Sequence, residues 1–216
     1  MRVLDGAGAT GAGGFTTVFA WPTPPPGAAT AGVVEQELAL GEAAGYVHVQ
    51  PIGAVTVGQK GERLAELGAM ASSRARVRVF SDDGSCVFDP LIMRRALEYV
   101  KAFDGVVAQH AQDPRLTEGA QMNEGTVSAE LGLAGWPAVA EESIIARDGL
   151  LAEHVGSRLH ACHLSTPGSV DIIALEPMAK PNGLVPVRMS PLVPSATSGS
   201  AWWWRFPRSL IANWTS

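Results

Sequence analysis

The sequence predicts an α/β fold built on a parallel sheet. Short apolar, β-branched runs recur at Phe15–Ala20, Val47–Val57, Val77–Ser81, Val106–Gln109 and Leu159–Leu164. Helix-like segments separate them: Ala31–Ala44, Glu62–Met70, Pro90–Phe103 and Ala138–Val155. The first four runs begin about 30 residues apart, the length of one strand–helix unit. Such alternation implies parallel strands, in a doubly wound sheet or a barrel, and periodicity alone does not choose between them.

Each element has its own signal. Phe15–Ala20 is a short apolar, β-branched run that follows a glycine-rich stretch. In Pro90–Phe103, Leu91, Met93, Ala96, Leu97 and Val100 recur at helical spacing, with Arg94, Arg95, Glu98 and Lys101 elsewhere around the turn. The helix after Pro137 carries Glu141 and Glu142 in its first turn, where acids complement the dipole. From Met178 onward the pattern is lost: there is no Asp or Glu, Lys180, Arg188, Arg205 and Arg208 are all basic, and Trp202, Trp203, Trp204 and Trp214 stand among prolines. This tail is expected to be foreign to the rest.

Composition excludes several classes of function. Of 216 residues, 46% are hydrophobic and 17% charged, too apolar for a disordered chain. No apolar run approaches the ~18 residues of a membrane span, and no secretory signal is read at the N-terminus. A net charge of −5 argues against a nucleic-acid partner. Cys86 and Cys162 cannot make a disulfide framework, so a reducing cytoplasm is expected.

Gly6-Ala-Gly8-Ala-Thr-Gly11 matches the dinucleotide fingerprint in letters, but a strand must precede it and a helix open on it. Only five residues precede Gly6 and a strand-like run follows, so a nucleotide site is not expected. More informative are three strand ends. Ser81-Asp82-Asp83-Gly84 closes one, His110 ends Val106–His110, and His163 ends Leu159–His163. Each is also an ordinary residue for a turn or a core. Together, a carboxylate and two imidazoles at equivalent rims match the ligand set zinc prefers, gathered from several strands. By alternation His160 faces away from His163, toward a helix or solvent. Cys162, which could be a ligand or nucleophile, also points away and is expected to pack, and structural roles are expected for His48 and His154. No Gly-x-Ser-x-Gly elbow is present.

Phe80-Ser-Asp-Asp83-Gly, Val107-Ala-Gln-His110, Leu116-Thr-Glu-Gly-Ala-Gln-Met-Asn-Glu-Gly125, Ala140-Glu-Glu-Ser143 with Ala146-Arg-Asp148, and His160-Ala-Cys-His-Leu-Ser-Thr166 strongly resemble bacterial type I dihydroorotase, in its actinobacterial form. The resemblance runs from about Gly13 to Ile173, and the separations Asp83 to His110, 27 positions, and His110 to His163, 53 positions, match it too. It implies a zinc-dependent amidohydrolase on a (β/α)₈ barrel that reversibly closes N-carbamoyl-L-aspartate to dihydroorotate in pyrimidine synthesis. By motif match, Asp83 corresponds to the carboxylate bridging two zinc ions, and His110 and His163 to ligands of the second. Two cations sharing a hydroxide supply a nucleophile at neutral pH, while one polarises the ring carbonyl.

The resemblance also implies missing parts. The family's His-x-His strand with its Arg, its last histidine ligand and its Asp-His-Ala-Pro segment, whose aspartate shuttles the proton, have no counterparts here, so no catalytic residue is assigned. Where the family has Met-Ala-Asn-Thr, this chain reads Trp21-Pro-Thr-Pro24, placing Thr23 at the substrate-binding Asn. ATG GCC AAC ACC read one base late spells Trp-Pro-Thr-Pro, so a frameshift is expected over about Trp21–Ala29, and a second after about Ile173. The expected organisation is a residual segment at 1–13, a partial amidohydrolase barrel of about five strands at 14–173, and a poorly ordered non-family tail at 174–216. An incomplete barrel leaves a strand edge bare, which predicts low stability and association. Activity of this chain alone is expected to be negligible. The alternative is a non-catalytic scaffold subunit associating with aspartate carbamoyltransferase, although such subunits have eroded ligands. A homo-oligomer is also open.

Overall fold

A computed structural model of the chain describes residues 3–22, 29–175 and 188–191, with only the backbone of Leu4, Leu175 and 188–191. Thr23 and most of 174–216, including the tail tryptophans, lie outside the described residues.

Helix α1 (Val3–Ala12) precedes strand β1 (Thr17–Ala20), then α2 (Ala31–Ala44), β2 (His48–Pro51), a 3₁₀ turn at Val57–Gln59, α3 (Leu67–Ser72), β3 (Val79–Phe80), α4 (Pro90–Lys101) and β4 (Val106–Gln109). After β4 a small lobe of β5 (Met122–Asn123), α5 (Thr126–Leu131) and β6 (Gly135–Trp136) leads to α6 (Val139–Val155) and β7 (Arg158–Leu164). Helix α7 (Pro167–Leu175) and β8 (Arg188–Pro191) follow.

Strand β1 pairs with β2, and β3, β4, β7 and β8 form one sheet in that order, all parallel. Gly53, just past β2, bridges Phe80 of β3: Gly53 N donates to Val79 O and Ser81 N to Gly53 O. The strands thus stand side by side in chain order, each pair joined by a helix. A doubly wound sheet reverses its strand order at a switch point, whereas a barrel never does. This arrangement is the arc of a (β/α) barrel.

Helix α4 illustrates how local sequence fixes an element. Asp89 caps it, its carboxylate accepting from Leu91 N and Ile92 N, and Pro90 at the first turn has no N–H to leave unpaired. Met93, Ala96, Leu97 and Val100 are fully buried against Phe80, Leu67, Met70, Val107 and Leu159, between the sheet and its outer helices. Burial of each large side chain in that layer stabilises the fold by about 1.5–3 kcal/mol. Close packing also needs Gly53, where a Cβ would lie 2.9 Å from the Phe80 ring and 3.0 Å from Met70 Sδ.

Several expected boundaries differ from the structure, two of them widely. The run Val47–Val57 yields only four residues of strand, because Val55 N and Thr56 N donate to the Asp82 carboxylate instead of a neighbouring strand. The helix expected at Glu62–Met70 begins at Leu67. Residues 62–66 fold back on 55–57, with Val57 N donating to Arg63 O and Ala65 N to Val55 O. The fingerprint Gly6–Gly11 lies inside α1, so its N–H groups serve the helix and cradle no phosphate. No described helix is long and apolar enough to cross a membrane. In the stretch expected to be a foreign tail, Arg188–Pro191 lie along β7, pairing His160 with Arg188 and Leu164 with Pro191.

Candidate metal centre

Asp82 and Asp83 follow β3 and divide two tasks. Asp82 is 2% exposed and accepts from Val55 N at 2.8 Å, Thr56 N at 3.0 Å and the Thr56 hydroxyl. Burial pushes its pKa up, and the Thr56 and Val55 hydrogen bonds oppose that. With Asp82 turned inward to hold the β2 loop, Asp83 is turned out to the rim. Its N donates to Ser81 Oγ, and its carbonyl accepts from Gln59 Nε2, which also reaches Pro22 O at the end of β1.

Strand β4 is buried throughout, and its last residue anchors the rim. The Gln109 amide bonds Val87 N and O, and its Nε2 donates to Asp148 Oδ2 at 2.8 Å. Burial raises the Asp148 pKa to about 6 against the pull of the Arg147 guanidinium. Arg147 in turn donates to Val87 O and Phe88 O, fixing the loop beyond Asp83. His110 is the next residue after this lock.

His163 lies in β7, where the pairing with β8 shifts register between Ala161 and Leu164. Its φ is +33°, rare for a residue with a Cβ. Bulges re-aim side chains at functional rims, and this one turns the imidazole toward Asp83 and His110. Cys162 stays buried behind it, its thiol pushed up to about 12 by burial first and the Asp83 charge second. It packs, as alternation suggested, and at neutral pH is neither thiolate nor ready ligand.

Three ligand atoms converge. Asp83 Oδ1 lies 3.1 Å from His110 Nδ1 and 2.9 Å from His163 Nε2, and the two nitrogens are 3.0 Å apart. The rings meet edge to face with centroids 4.7 Å apart. Three ligands of one tetrahedral zinc, with bonds of ~2.0–2.2 Å, stand roughly 3.3–3.6 Å apart. Opening by a few tenths of an ångström fits the ion. Asp83, His110 and His163 form a group that could hold a metal ion, and their mixed N₂O character suits a first-row cation. The site sits at the C-terminal ends of β3, β4 and β7, the face on which barrels carry their chemistry.

The other residues singled out from sequence lie elsewhere or do something else. His48 opens β2 at the opposite end of the sheet, beside a groove of about 670 Å³ lined by Phe15, Glu42 and Tyr46. His154 is in the last turn of α6 and His160 is half-buried within β7. Glu141 lies in the first turn of α6, as expected, and also clamps the loop after β7. Its carboxylate accepts from Ser165 N, the Ser165 hydroxyl, Thr166 N and Ser169 Oγ. Glu142 accepts from the Thr166 hydroxyl. From sequence no role is assigned to Gln59, Gln112 or Thr117, and Asp82 and Asp83 are taken together without dividing their tasks. Gln112 and Thr117 had one available signal, their closeness in sequence to His110.

The rim motifs have close counterparts. The family described as dihydro-orotase-like matches residues 2–169. A dihydroorotase from Leifsonia xyli is 79% identical over 171 residues, 79% of this chain and 39% of that protein. One from Streptomyces coelicolor is 72% identical over the same length, 40% of its own. The chain therefore spans about 40% of the length of these relatives. Among solved structures, the L-hydantoinase (dihydropyrimidinase) of Arthrobacter aurescens superposes with a TM-score of 0.60 at 20% identity, over 81% of this chain and 40% of that one. The D-hydantoinase of Bacillus sp. AR9 gives 0.56 at 17%. These two share the fold alone, in agreement with the strand order. Rim motifs, strand order and sequence identity lead to one assignment: the chain belongs to the dihydro-orotase-like family.

Proposed function

We propose that the chain belongs to a zinc-dependent dihydroorotase, a cyclic amidohydrolase that reversibly closes N-carbamoyl-L-aspartate to dihydroorotate in pyrimidine synthesis. One observation carries this reading: three lone-pair donors from three strand ends meet within 3.1 Å at the catalytic face of a barrel arc. The barrel part is assigned to 14–173, with 1–13 and 174–216 as flanks.

In this reading His110 Nδ1, His163 Nε2 and the Asp83 carboxylate would hold zinc. Zinc supplies Lewis acidity, which makes water nucleophilic near neutral pH and polarises the amide carbonyl under attack. The residues of this chain orient that chemistry. Asp83 offsets the cation's charge, and its backbone bonds to Ser81 and Gln59 keep the carboxylate at the rim. The Gln109–Asp148–Arg147 lock holds His110 at the strand end, and the β7 bulge aims His163.

Among the described residues this is the one cluster of three such ligands, which is half of a binuclear site. Turnover by the 216-residue chain alone is therefore proposed to be negligible. The setting is cytoplasmic, and the macromolecular partner is a second copy or aspartate carbamoyltransferase. Chromatography of the chain alone and mixed with the transcarbamoylase separates these two. The test of function is zinc titration of the purified chain beside a dihydroorotate hydrolysis assay. Zinc binding without hydrolysis is expected. Absence of zinc binding removes the metal reading, and measurable hydrolysis removes the claim of negligible turnover.

A further inference from the structure

We propose that Thr117 and Gln112 form a relay that keeps a hydrogen on His110 Nε2, so that Nδ1 is the nitrogen that gives its lone pair to the metal. The inference rests on the metal reading above and assigns positioning roles to two residues that touch no ligand atom of the cluster.

The proton positions follow one another from a single fixed point. The carbonyl of Asp113 can only accept, so the Thr117 hydroxyl, 3.0 Å away, must donate to it. Thr117 Oγ1, its proton committed, then accepts from the Gln112 amide 3.1 Å away, so the group facing it is the NH₂. That leaves Gln112 Oε1 facing His110 Nε2 at 2.7 Å, and a carbonyl oxygen there requires Nε2 to carry the hydrogen. With a hydrogen held on Nε2, Nδ1 is the nitrogen left for an ion, and it faces Asp83 Oδ1 and His163 Nε2. A proton bound there in the metal-free chain would be given to the Asp83 carboxylate side and displaced by the metal.

The start of the relay is itself held. Asp113 N donates to Ala140 O at the start of α6, and Asp113 Oδ1 accepts from Arg115 N and Leu116 N, closing the turn that carries Thr117. Thr117 is 8% exposed, so water does not readily replace Gln112 as its partner. Without the Thr117 hydroxyl the Gln112 amide is free to rotate, present NH₂ to Nε2, and move the imidazole proton to Nδ1, inside the cluster.

The test uses the full chain, with ¹⁵N-histidine NMR of the metal-free protein and zinc affinity by competition with a chelator. Thr117→Val should shift His110 toward the Nδ1–H form and weaken zinc about tenfold, the lower end of what outer partners of metal ligands contribute. Thr117→Ser keeps the hydroxyl and should restore both. Gln112→Glu cannot rotate a donor into place, so Thr117→Val with Gln112→Glu should also return the Nε2–H form, a rescue that general loosening of the loop would not produce. The relay is overturned if Thr117→Val leaves His110 in the Nε2–H form, or if the double variant fails to recover it. A wild-type chain that binds no zinc refutes the metal reading instead, and the tautomer of the metal-free protein still decides the relay.

Discussion

Adjacent aspartates with opposite surroundings make the sharpest contrast at the residue scale. Asp82 is sealed in and satisfies three donors of residues 55 and 56. Asp83 offers its side chain to two imidazoles and is tied down by its backbone. Asp82→Ala strands buried donors and should lower unfolding free energy by about 2–4 kcal/mol, read by denaturant titration. Asp83→Ala should change stability by under about 1 kcal/mol yet abolish zinc binding in the same titration. Equal destabilisation by the two would contradict this division. The letters Asp-Asp-Gly place a carboxylate at the rim but cannot say which of the pair faces inward. That is decided by Val55 and Thr56, 27 and 26 positions earlier. Likewise the strained φ of His163 follows from a register shift with β8, a partner about 25 residues away along the chain and invisible to local pattern.

Elements were legible where their own side chains fix them. The apolar stripe of α4 gives its face and Asp89-Pro90 its start, while the helix after Glu62 is misplaced because residues 62–66 spend their backbone on 55–57. Helix α2 carries two testable consequences. Gly41 lies on Val49 of β2, where a Cβ would stand 2.5 Å from the valine Cβ. Alanine is the better helix former by about 1 kcal/mol, but overpacking costs roughly 1–3 kcal/mol. Gly41→Ala should therefore lower the melting temperature, and a rise would show that α2 packs on β2 more loosely. Glu37 lies on the same helix with Oε2 buried and unbonded, and burial raises its pKa to about 7. The folded chain then binds this proton more tightly than the unfolded chain, so its stabilising share is full below about pH 4.5 and is lost as pH rises to about 7. Glu37→Gln should flatten stability across that window and add about 1–2 kcal/mol at pH 8, the partial exposure of the side chain being allowed for. An unchanged pH profile would contradict the burial.

Across the whole molecule, sequential strand order decides what periodicity left open, because doubly wound sheets and barrels share the same alternation of elements. The described strands form an arc whose ends, β1 and β8, are not paired with each other among the described residues. Val127, Leu131, Leu133 and Trp136 stand exposed on the lobe after β4. Unpaired edges and apolar surface favour association, so sedimentation velocity should show concentration-dependent growth. A single monomeric species over a hundredfold range of concentration would contradict that. Asp83, His110 and His163 could be singled out from sequence because barrels gather chemistry at strand ends. Nearness to His110 marks Gln112 and Thr117 as neighbours of the site, but not their roles, since proton direction depends on distances no letter encodes. The most direct measurement is diffraction at the zinc absorption edge from crystals of the full chain grown with zinc. An anomalous peak bonded to His110 Nδ1, His163 Nε2 and Asp83 Oδ1 is expected, and zinc absent from these three atoms, or bound only elsewhere, would contradict it.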